Sequence, residues 1–91
     1  FNQNIGILQT ATNALDTILS YVDILKNINN PTEEILNEIT NEINSTIQNT
    51  TFNNIPVFSQ KIKIGENNLS LSIPLFNPNE MSIEEYEKLL L

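Results

Sequence analysis

Apolar residues along the first third of the chain keep helical time. Leu8, Ala11, Leu15, Ile18, Val22 and Leu25 step by three, four, three, four and three, the seam of an α-helix. A second row, Ile7, Ala14, Tyr21 and Ile28, recurs every seven residues beside it, and Leu19 and Ile24 widen the stripe further. The oily surface therefore exceeds the roughly 100° arc that one packed neighbour covers. The pattern predicts a long helix over about residues 5–28, with Gly6 marking either its start or a close approach by another part of the chain, because glycine costs a helix on the order of 1 kcal/mol relative to alanine.

The run Asn27 to Pro31 ends that helix, since proline disfavours helical backbone in the residue before it. Asn30 reads as the N-cap of a second helix over about 31–48, with Pro31 at its first position and Glu33 at its third. Leu36, Ile39, Ile43 and Ile47 line its inner face, Ile35 sits beside them, and Glu34, Glu38 and Glu42 fall elsewhere on its surface. A short loop between two such helices implies an antiparallel hairpin.

After Gln48 the period changes. The stretch Asn49 to Asn54, NTTFNN, reads as a tight loop pinned by Phe52. Ile62 and Ile64 alternate with Lys61 and Lys63, and Leu69, Leu71 and Ile73 alternate with Ser70 and Ser72, a half-buried hairpin whose oily face should lie on the helices. Ile55 to Phe58 could add a third strand, at an edge because of Pro56. Ser82 and Glu85 have capping-box spacing and open a last short helix over about 83–91. The expected fold is α+β, mainly α: one domain, residues 1–91, in which an antiparallel helical hairpin packs on a small two- or three-stranded antiparallel sheet, with a short C-terminal helix.

Charge narrows the function classes. Four lysines against eleven acidic residues give a net charge of −7, the wrong sign for nucleic acid or an anionic membrane surface. No run approaches 18 consecutive apolar residues, so no membrane span is expected. A chain that opens at Phe1 without a signal-like segment reads as the ordered core of something longer. Asparagine supplies sixteen of the 91 residues but is scattered among patterned apolar positions, and the sequons at Asn44, Asn49 and Asn68 follow from that abundance.

The chemistry of a catalyst is missing from the residue types. Without histidine or cysteine, a serine nucleophile has no ordinary base and a metal no soft ligand. Glu33, Glu34, Glu38 and Glu42 include i, i+4 neighbours, yet such a helix face is ordinarily just solvated. Gly6 and Gly65 cannot build a phosphate loop. No enzyme, no cofactor and no metal is expected.

Three segments resemble the amino-terminal half of the flagellin core domain. Ile7 to Leu15, ILQTATNAL, is similar to that family's I-x-x-A/L-Q-T-x-x-x-A-L stretch. Glu38 to Asn53, EITNEINSTIQNTTFN, resembles its E-I-x-x-x-I/L-x-x-I-x-x-x-T-x-F-N signature, and Ile62 to Ile73, IKIGENNLSLSI, resembles its hairpin. Departures accompany the likeness. Tyr21 and Asp23 stand where flagellins carry arginines, Ile24 where they carry an acid, Glu42 where they carry a base, and Asn54 where the loop has glycine.

The resemblance implies a non-enzymatic protein of the bacterial flagellum assembly system that buries helix faces against a protein partner. In flagellins a carboxy-terminal helix covers the long helix. The partner implied here is the flagellar export chaperone FliS, or flagellin-type helices, making this chain a co-chaperone or regulator in the bacterial cytoplasm. A structural filament or hook-junction subunit, located in the flagellum, and a generic helical adaptor are the alternatives. Leu19, Tyr21, Ile24, Ile28 and Ile35 are the expected partner-binding residues, while the competing reading places Tyr21 and Ile24 in the core. Three large apolar side chains left in water would forgo roughly 1.5–3 kcal/mol each, an appreciable share of the 5–15 kcal/mol typical of a domain.

Overall fold

The computed structural model describes residues 3–59, 61–64 and 66–91. Helix α1 runs Gln3–Asn27, α2 runs Glu33–Asn49, and α3 runs Ile83–Leu90. Between α2 and α3 lie strands β1 (Thr51–Phe52), β2 (Ile55–Pro56), β3 (Lys61–Ile64) and β4 (Asn67–Ser70), with a single 3₁₀ turn at Val57–Ser59. Mainly helical with small antiparallel strand pairs and a short last helix, the fold is the α+β class expected. At 1.5 Å per residue α1 is about 37 Å long, and it spans most of a body measuring 46 × 23 × 18 Å.

Ile18, Val22 and Leu25 of α1, Ile39, Ile43 and Ile47 of α2, and Phe76, Ile83 and Tyr86 from the C-terminal part form the main core. These are the seam positions of both helices, brought together by the hairpin. Ile7, Ala11 and Val57 make a second cluster at the other end of α1, with Phe52, Phe58 and Leu71 packed against it. The close approach foreshadowed at Gly6 is real: a Cβ placed there would lie 2.3 Å from Cζ of Phe52.

The second helix starts later than expected. Thr32, not Asn30, is its N-cap, with extended backbone (φ −66°, ψ 157°) and a side-chain oxygen that accepts from the Ile35 amide at 3.2 Å. Asn30 instead adopts left-handed backbone, φ 53°. A residue that reverses the chain in that region cannot also take the extended conformation of an N-cap, so Pro31 falls before the helix and Glu33 becomes its first residue.

The strands differ from the expected sheet as well. β3 pairs with β4 as the expected two-stranded antiparallel hairpin, while Ile55–Pro56 pairs with β1 and does not add a third strand to it. Asn53 and Asn54, both left-handed at φ 51° and 67°, make the two-residue turn of the β1–β2 pair. A two-residue turn with both φ positive matches the twist of the strands it joins. β4 ends at Ser70, and from Leu71 to Asn77 the chain leaves regular structure. Leu71 and Ile73 then pack on the two core clusters, as an oily face should, but Leu69 remains 42% exposed. Ile62 and Ile64, assigned to the same face, lie outside the residues whose side chains are described.

Two polar devices hold the irregular segment down. Asn44 Nδ2 donates to the Phe76 carbonyl at 2.9 Å while its Oδ1 accepts from the Phe76 amide at 2.8 Å. Tyr86, with no solvent exposure, donates its hydroxyl to the Pro74 carbonyl at 2.6 Å, and its ring stands 4.9 Å from that of Phe76. The capping box expected at α3 is present, Ser82 and Glu85 bonding each other's backbone reciprocally. Lys26 on α1 reaches Glu87 on α3 at 2.8 Å.

Candidate functional site

The residues expected to meet a partner do not share one face. Leu19 and Ile24 are five positions apart, a rotation of about 140° around α1. Leu19 is in step with Leu8, Thr12 and Leu15, on the flank away from the hairpin. Tyr21, Ile24 and Ile28 occupy the flank that α2 extends. Sequence periodicity placed Leu19 with them because the apolar arc of α1 is wide; only the position of α2 divides that arc.

On the hairpin flank the geometry is specific. Tyr21 Oη donates to Glu42 Oε2 at 3.3 Å, a pair that marks the register of the two antiparallel helices packed through the main core. Equal steps of 1.5 Å from that pair place Ile24 level with Ile39 and Ile28 level with Ile35. Along α1 the order is Tyr21, Ile24, Ile28; along α2 it is Ile35, Glu38, Glu42, with the same spacing of three and four. Ile24 is 49% exposed and Ile35 37%. Tyr21 and Ile28 are half-buried and pack against the main core, so the competing reading holds in part for Tyr21 and fails for Ile24. At the loop end, Ile28 also lines a depression with Pro31, Leu36, Phe76 and Met81, of about 280 Å³.

The opposite flank carries an open groove. Leu8, Thr12 and Leu15 of α1, Leu71 and Ile73 of the irregular segment and Leu89 of α3 are among its lining. Its volume is about 280 Å³, near the lower limit of pockets that enclose small molecules. Neither apolar region was separable from the other before the fold was known.

Charge on the hairpin flank is one-sided. Glu34, Glu38 and Glu42 are all exposed along α2. Lys26, the basic side chain of α1, is engaged with Glu87 of α3, which holds its ammonium above the usual lysine range. Among the described residues no group of three acids could hold a metal ion, and no helix is long and apolar enough to cross a membrane. An arrangement of exposed isoleucines between two locked helices, bordered by carboxylates, can bury a complementary apolar surface. No family model, curated protein or solved structure matches this chain.

Proposed function

We propose that this chain is a non-enzymatic, flagellin-like protein of the bacterial flagellar assembly system that binds a helical partner through the outer face of its α1–α2 hairpin, acting as co-chaperone or regulator with the export chaperone FliS. One observation carries the reading: Ile24 and Ile35 stand 49% and 37% exposed on the same face of a hairpin packed through the main core. Tyr21 and Ile28 frame them from a more buried level. Isolated exposed leucines and isoleucines are ordinary, but two β-branched residues following the Tyr21–Glu42 pair along facing helices make a surface of the kind that receives an amphipathic helix. The flagellar assignment draws on the three segments that resemble the flagellin core. Three of the five departures from that family, Tyr21, Ile24 and Glu42, fall on this same face, where they exchange filament-type charge for apolar surface and acid.

Mixing the purified chain with FliS and running size-exclusion chromatography with light scattering tests it. A discrete low-order complex is expected, and Ile24→Asp should abolish that complex with the circular dichroism unchanged. Failure to co-elute, or a complex indifferent to Ile24→Asp, overturns the assignment. Long polymers in place of a discrete complex would instead identify a filament subunit.

A further inference from the structure

We infer that the partner segment seated on the hairpin face is a cationic amphipathic helix, its basic side chains meeting Glu38 and Glu42. The inference rests on the docking reading above and goes further, to the chemistry of the occupant. A helix laid across Ile24 and Ile35 has one flank over α1 and the other over the exposed carboxylates of α2. Glu38 follows Ile35 by three residues and Glu42 follows Glu38 by four, so the acids continue the line of the apolar contact. Glu42 uses Oε2 to accept the Tyr21 hydroxyl, and among the described residues no ion pair engages Glu42 or Glu38. Neither lysine whose side chain is described answers them: Lys26 is committed to Glu87, and Lys88 belongs to α3. A second copy of this chain, carrying a net charge of −7, would bring acid to acid. Lysine or arginine on the partner's flank therefore matches what the face offers, and the match steers encounter as well as register.

Two labelled 18-residue peptides of identical leucine-lined helical face, one flanked by lysine and one by glutamate, provide the probe. Fluorescence anisotropy with the whole chain should show the lysine peptide binding at least tenfold more tightly, with the advantage shrinking at high salt. Glu38→Gln/Glu42→Gln should bring the two peptides within about twofold, because glutamine keeps the acceptor for Tyr21 and removes the charge. Asp16→Asn/Glu80→Gln, which removes equal charge elsewhere, should preserve the tenfold preference. A preference that survives the first double variant, or that falls equally with the second, overturns the inference. The two readings fail separately. If Ile24→Asp abolishes binding of the lysine peptide but Glu38 and Glu42 do not matter, the face stands and the cationic partner does not; if neither peptide binds, or Ile24→Asp changes nothing, the face itself is wrong.

Discussion

The Phe52 ring stands end-on over the backbone of Gly6, so that a single added methyl group would meet three ring atoms at 2.3–2.9 Å. β1 and the two-asparagine turn deliver that ring to the first turns of α1, and Ile7, Ala11 and Val57 pack around it. A helix-breaking residue inside α1 is thus explained by contact, since the ring can sit there only because no Cβ does.

Gly6→Ala accordingly has opposing effects. Alanine favours a helix by about 1 kcal/mol over glycine, whereas forcing a methyl into a packed site costs about 1–3 kcal/mol. The expected net result is a loss of about 1 kcal/mol in urea unfolding. In the background of Phe52→Leu, where the ring is gone, the same substitution should become stabilising. Gly6→Ala that stabilises the wild-type chain would show that the ring yields freely.

Asn44 and Phe76 give a second test. Both polar atoms of the amide side chain are used on the backbone N–H and C=O of one residue of the irregular segment. Asn44→Ala leaves a part-buried carbonyl and amide without partners, and the expected loss is about 2–3 kcal/mol. Asn44→Asp at neutral pH keeps an acceptor for the Phe76 amide but faces the carbonyl with a second oxygen, so it should not rescue. Equal stability of Asn44→Ala and wild type in chemical denaturation would mean that the clamp contributes nothing.

The turn residue Asn54 lies in left-handed backbone at φ 67°. Glycine reaches that region without the steric cost a side chain imposes, so Asn54→Gly should be neutral or gain up to about 0.5 kcal/mol. A β-branched residue is strained there, and Asn54→Val should lose about 1–2 kcal/mol. Thermal unfolding of the pair provides the comparison, and an indifferent Val variant would mean that this turn is not formed as described.

How far the chain could be read in advance follows from which interactions are local. The seam of α1, the inner face of α2 and the Ser82–Glu85 capping box depend on spacing alone, and each was legible in the residues. The N-cap was misplaced because Asn30 and Thr32 are both good cap residues, and only the left-handed turn at Asn30 decides between them. The end of β4 was misplaced because Leu71 and Ile73 keep strand alternation while their burial is dictated by α1. Asn44 looked like one asparagine among sixteen; its partner is 32 residues away, and no local signal marks it. On the candidate face, exposure at Ile24 was foreseen from the width of the apolar arc. The separation of Leu19 from it was not, because that depends on where α2 lies.

Burial of Tyr86 predicts a loss of stability at alkaline pH. Burial pushes its hydroxyl up from 10.0 to about 12, and the neutral phenol donates to Pro74. Below pH 10 folded and unfolded chains both keep the proton, so the stability is fully present. As pH rises from about 10 towards about 12, the unfolded chain ionises first and is favoured by about 1.4 kcal/mol per unit, a total of about 2–3 kcal/mol. Lys26, also held above its usual range by Glu87, loses its charge in the same alkaline direction, but the pair is exposed and screened. Tyr86→Phe should therefore start about 1 kcal/mol less stable, with the Pro74 carbonyl unpaired, and show a flatter decline across this interval. Lys26→Gln should retain most of the wild-type slope. Urea midpoints measured at half-unit steps from pH 8.5 to 12 separate the two, and a Tyr86→Phe variant that declines as steeply as wild type would locate the alkaline transition elsewhere.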